Sequence, residues 1–182
     1  MFETIGFLEM NSIAKGVEAA DAILKAADVD LIFAKAGCPG KYYILFTGEV
    51  AAVRASLEAG AAIGENYTVD QCLIPRVHPQ VITAINMSAV PSGSGAVGVM
   101  EFYSVTASVY AADAAVKAAD VDLIDVRLGT GIGGKSFVIL TGEVAAVRAS
   151  VDAGIHNENA EGMVVSNVVI PSPHRQIFES LM

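Results

Sequence analysis

Apolar and polar positions along the first half of the chain change period several times, and each change marks an element. Ile5–Met10 reads as a short strand. From Ile13 the spacing lengthens: Ile13, Val17, Ala20, Leu24 and Ala27 form the stripe of an amphipathic helix, with Asn11 or Ser12 as its N-cap. Val29–Lys35 is a second strand, and the Gly/Pro break Gly37–Gly40 turns the chain into a third, Tyr42–Thr47. A second helix carries Val50, Val53 and Leu57 on one face and is expected to end near Gly60. A fourth strand, Val69–Ile74, stops at Pro75, and a short helix follows His78. The order βαββαβ places helices on one face of an antiparallel sheet, the split βαβ arrangement.

The second half repeats the first. Glu18–Ile32 (EAADAILKAADVDLI) matches Tyr110–Ile124 (YAADAAVKAADVDLI) at an offset of 92, and TGEVAAVRAS occurs at both Thr47–Ser56 and Thr141–Ser150, offset 94. Leu73–His78 (LIPRVH) pairs with Val169–His174 (VIPSPH), offset 96. Such long identical blocks mean duplication. The helical stripe recurs as Val105, Val109, Ala112, Val116 and Ala119, and the second helix as Val144, Val147 and Val151, ending near Gly154. Two α+β domains are therefore expected, at 1–90 and 96–182, joined by a Gly/Ser linker at 91–95 inside the flexible stretch MSAVPSGSG.

Composition adds a partner to this picture. Hydrophobic residues make up 53% of the 182 and charged residues 17%. A domain of roughly 90 residues buries only about two-thirds of its surface alone, so the apolar surplus points to subunit interfaces. No apolar run reaches the ~20 residues of a bilayer span, and Glu3 and Glu9 stand where a signal peptide would be basic; a cytosolic protein is expected. A net charge of −9 excludes nucleic acid as the natural partner. Two cysteines are too few for a disulfide framework. The histidines His78, His156 and His174 do not cluster, and no acid, base and nucleophile recur in matched positions. Glu49 and Glu143 open helices, where the dipole favours them. The chain does not read as an enzyme.

The pieces GFLE, EAADAILKAADV, TGEVAAVRASLEAG and LIPRVH resemble the domain that tiles bacterial microcompartment shells, in non-permuted order over nearly all of both copies. The tandem arrangement with GCPGK in the first copy is similar to the T-type members of propanediol-utilisation shells. The resemblance implies a ferredoxin-like fold, a homotrimer whose six domains form a pseudohexamer, and packing with other shell proteins in a flat layer. It assigns edge contacts to Lys25, Lys117 and Arg76, although Ser172 replaces the arginine in the second copy. It places the loop between strands two and three at a central pore, lined by Gly37, Cys38, Pro39 and Gly40 from one copy and Thr130, Gly131, Ile132 and Gly133 from the other.

These loops are where the copies differ most. Gly129, Gly131 and Gly134 fit a G-x-G-x-x-G pattern, but a strand, Ser136–Thr141, follows in place of a helix N-terminus, so dinucleotide binding is not expected. Cys38 is sharper. One thiolate cannot hold an iron–sulfur cluster, yet a threefold axis would gather three. The T-type resemblance implies a [4Fe–4S] cluster, one per trimer, with Cys38 as metal and cofactor ligand, serving electron transfer or cluster handling for encapsulated redox enzymes. A small pore liner in a metabolite-conducting pore, or a zinc site of three thiolates and water, are the competing readings of Cys38; a sensor built on ferredoxin-like repeats lies outside the family. Cys72, within an alternating strand, reads as core.

Overall fold

The computed structural model describes residues 4–91 and 95–181. Among the described residues, eight strands and six α-helices follow the expected order twice. The first copy comprises β1 (Thr4–Met10), α1 (Ile13–Ala26), β2 (Val29–Gly37), β3 (Lys41–Gly48), α2 (Val50–Gly64), β4 (Thr68–Pro75) and α3 (Pro79–Ile85). The second comprises β5 (Ala96–Phe102), α4 (Val105–Ala118), β6 (Val121–Leu128), β7 (Ser136–Gly142), α5 (Val144–Ile155), β8 (Val164–Ile170) and α6 (Arg175–Ser180). The sheets are antiparallel, in the orders β2-β3-β1-β4 and β6-β7-β5-β8. This is the expected α+β fold, twice.

The predicted N-cap is Ser12: its side chain accepts a hydrogen bond from the Lys15 amide, and Ser104 does the same for Ala107. In the first unit α1 and α2 pack together over β1 and β3, around Leu8, Met10, Ile23, Ile44, Phe46, Val53 and Leu57. The buried face of α1 is Gly16, Ala19, Ala20 and Ile23. Of the predicted stripe only Ala20 lies there; Ile13, Val17 and Leu24 are exposed, and Ala27 is the C-cap. In α4 both sets are buried, Val105, Val109, Ala112 and Val116 together with Ala111 and Ala115. The two helices share a sequence pattern but not a surrounding.

The expected end of the second helix also moves. Helix α2 runs through Gly60 to Gly64. A Cβ at Gly60 would lie 2.6 Å from Ile23, so this glycine lets two helices approach and does not stop one. A Cβ at Gly154 would lie 2.5 Å from Met100 of β5, so this glycine, one residue before α5 ends, likewise allows a close approach.

Two compact units emerge, Met1–Val77 and His78–Met182. Helix α3, the last element of the first copy by sequence, is thus part of the second unit, where it packs on β6 and α4. Of the expected linker, Ser92, Gly93 and Ser94 lie outside the described residues.

Candidate functional site

The β2–β3 hairpin carries Gly37, Cys38, Pro39 and Gly40 at its tip. The Gly40 amide donates to the Gly37 carbonyl at 3.0 Å, and Gly40 takes the positive φ of 84° that favours glycine. The Cys38–Pro39 peptide is cis. Cys38 is half-buried, while Pro39 and Gly40 are exposed. Behind the tip stands Tyr43, fully buried and stacked on Phe7 with ring centroids 6.0 Å apart. Its hydroxyl donates to the Cys38 carbonyl at 3.1 Å. The phenol is held well above its ordinary range, by burial first and then by the charges of Glu9 and Cys38, so Tyr43 remains a donor. A Cβ on Gly37 would meet the Tyr43 ring at 2.0 Å. The tyrosine and the glycine therefore set the loop together.

Just past the tip, Lys41 pairs with the buried carboxylate of Glu9 at 2.5 Å. Burial raises the Glu9 pKa, and the Lys41 hydrogen bond and charge oppose that rise. The second copy repeats the pair as Lys135 and Glu101. Sequence reading passed over both pairs, although recurrence of Glu and Lys at the 92 and 94 offsets was a visible signal.

The β6–β7 tip is longer and rich in glycine. Gly129, Gly131, Gly133 and Gly134 all have positive φ, and Thr130 and Gly131 are exposed. The Thr130 hydroxyl donates to the Leu128 carbonyl at 3.3 Å. Both flanks are strands, so the G-x-G-x-x-G pattern lacks the helix N-terminus that a pyrophosphate requires. All eight predicted pore positions thus fall on two hairpin tips, four in each unit.

The predicted edge residues lie elsewhere. Lys25, in the last turn of α1, is exposed and paired with Asp21 at 2.5 Å; Lys117 pairs with Asp113 at 2.6 Å. Arg76 is exposed, just past β4, with φ 50°. Cys72 is buried in β4 opposite Phe7, a core position as expected. Among the described residues, no group of three or more His, Cys, Asp or Glu side chains could hold a metal within one chain. Nor is any described helix long and apolar enough to cross a membrane.

Residues 4–77 and 96–173 each match the BMC domain family. The chain belongs to that family. It is a tandem-domain protein of the bacterial microcompartment shell. Over all 182 residues it is 38% identical to the bacterial microcompartment shell protein PduT of Citrobacter freundii, covering 99% of that protein. It is 30% identical to the carboxysome assembly protein CcmO of Synechococcus elongatus, across 97% of this chain and 68% of that one. A crystal structure of a microcompartment protein from Desulfitobacterium hafniense superimposes with a TM-score of 0.90 at 50% identity, covering 98% of this chain and 99% of that chain. BMC-domain shell proteins are structural components and not enzymes.

Proposed function

We propose that the chain is a trimeric shell subunit that assembles with other shell proteins and holds a [4Fe–4S] cluster through Cys38 of three copies. The observation that carries this is the Cys38 hairpin tip. It offers one soft thiolate per chain, braced through its own carbonyl by a buried Tyr43, with no set of three or more metal-ligating side chains alongside it in the described chain. The donor chemistry suits iron, and only a meeting of several chains completes the set. Gly37 and Tyr43 would hold the donor in place, while Pro39 limits the tip's backbone freedom. When bound, the cluster would supply one-electron chemistry at the shell, for electron transfer or cluster handling with encapsulated redox enzymes.

Iron and sulfide content per trimer after anaerobic purification tests this. Cys38→Ser should lose most bound iron while keeping fold and oligomeric state, because a hard hydroxyl replaces a soft thiolate. Cys72→Ser should keep the iron, since that thiol is buried in the core. Iron content unchanged in Cys38→Ser would make a metabolite-conducting pore the better account.

A further inference from the structure

Strand β6 holds a carboxylate where its first-copy counterpart holds an aromatic ring. Asp125 and Arg127 correspond to Phe33 and Lys35 at the 92 offset. Both copies put the first of these at an irregularity in the edge strand, after Leu31 in β2 and after Leu123 in β6, and such bulges re-aim the side chain they carry. In β2 the Lys35 ammonium lies over the Phe33 ring, 4.2 Å from its centroid. In β6 the Arg127 guanidinium holds Asp125: Nε and Nη2 both donate to Oδ2, at 3.0 and 2.7 Å. Asp125 is 8% exposed, and its other oxygen, Oδ1, is buried with no hydrogen-bond partner among the described residues. A carboxylate oxygen withdrawn from water without a donor is costly. Phe33 shows that the fold does not require an acid at this position.

Asp125 and Arg127 line a cavity of about 100 Å³, together with Ile124 of β6, Met87 and Ala89 after α3, and Leu181 after α6. All six residues belong to the second unit. The wall after α3 is set by the way that helix ends. Met87 has φ 55°, its amide donates to the Ala84 carbonyl at 3.1 Å, and the Ser88 amide donates to the Thr83 carbonyl at 3.0 Å. Leu181 is set by packing, with Phe178, on Val97, Ile124 and Ile139. Apolar walls around one polar pair are the composition of a ligand site, and the space has room for a few heavy atoms.

The pair defines what would fit. Oδ1 needs a donor, and Arg127 uses two of its five N–H groups on Asp125, which leaves others for an acceptor. Asp125 and Arg127 balance each other, so a charged ligand would add an uncompensated charge among apolar walls. We infer that this cavity binds a small neutral molecule with an adjacent donor and acceptor on a short apolar body, such as a primary carboxamide. Its N–H donates to Asp125 Oδ1, its carbonyl accepts from Arg127, and its alkyl group lies against Met87, Ile124 and Leu181. The site shares no residue with the Cys38 tip and requires no iron.

Propionamide, propylammonium and propionate are probes of similar size that differ in charge. Each is titrated into the full chain and followed by saturation-transfer NMR. Propionamide should bind with a dissociation constant in the millimolar range, in keeping with so few atoms, and both ions at least tenfold more weakly. Asp125→Phe installs the first copy's residue, and Ala89→Leu narrows the cavity while leaving the ion pair in place. Each should raise the propionamide dissociation constant at least tenfold with unchanged circular dichroism. If Asp125→Phe does not fold, Ala89→Leu decides the test. Propionamide that shows no transfer, or that binds wild type and Ala89→Leu equally, overturns the site. Tighter binding of either ion than of the amide overturns the assignment of a neutral ligand.

Discussion

Gly37 and Tyr43 illustrate how closely single residues govern the Cys38 tip. A methyl at Gly37 would stand 2.0 Å from the ring of a tyrosine that has no room to move. Gly37→Ala should therefore cost about 1–3 kcal/mol, the usual range for overpacking, measured by chemical denaturation. It should also lower iron retention, since the ring bonds the Cys38 carbonyl. Glu9 gives a second residue-scale prediction. Its folded-state pKa is raised above the ordinary 4.5, by burial first. The folded chain thus binds this proton more tightly than the unfolded chain. The protonated carboxyl's contribution to stability is complete below 4.5 and is lost as pH rises through the raised value. Subtracting the pH–stability curve of Glu9→Gln from that of wild type should isolate this fall. A flat difference would mean that Lys41 compensates the burial fully.

At the scale of the element, α1 separates periodicity from burial. Ile23 is fully buried between α2 and the sheet, whereas Leu24, which the apolar stripe selects, is 42% exposed. Ile23→Ala should cost about 2–5 kcal/mol, a cavity in a packed core. Leu24→Ala should cost well under half of that in the dissociated chain, and unfolding of monomeric variants compares the two. The stripe misleads because alanine and glycine hide the true core face: Gly16, Ala19 and Ala20 are small where α1 meets its neighbours. Hydropathy reads Ile13, Val17 and Leu24 more strongly, and these are exposed in the single chain.

At the scale of the whole molecule, the exposed surface carries two kinds of chemistry, apolar and charged. Ile13, Val17 and Leu24 give α1 an exposed apolar face. Lys25 is exposed and forms an i,i+4 pair with Asp21, a surface interaction of little intrinsic stability. If Lys25 and Lys117 contact neighbouring oligomers, Lys25→Ala with Lys117→Ala should leave the sedimentation coefficient of the oligomer unchanged. The same double variant should raise the protein concentration at which sheets appear by electron microscopy. Intact sheets at the wild-type concentration would remove the lysines from that role.

The duplication, the order of eight strands, the two hairpin tips and the core position of Cys72 were all legible in the sequence, because each rests on local periodicity, glycine and proline placement, or repetition. The BMC-domain family was legible for the same reason, in long motifs that survive in both copies. What only the tertiary structure decided depends on contacts between residues distant along the chain. It set which face of α1 is the core and made Gly60 a point of close approach. It put Tyr43 behind Cys38 and joined Glu9 to Lys41. It also assigned α3 to the second unit. Helices α1 and α4, alike in apolar pattern, acquire different burial because α3 packs on α4 within its unit, whereas Ile13, Val17 and Leu24 of α1 are left exposed. That difference is invisible to any pattern of residues, since the pattern is the same in both.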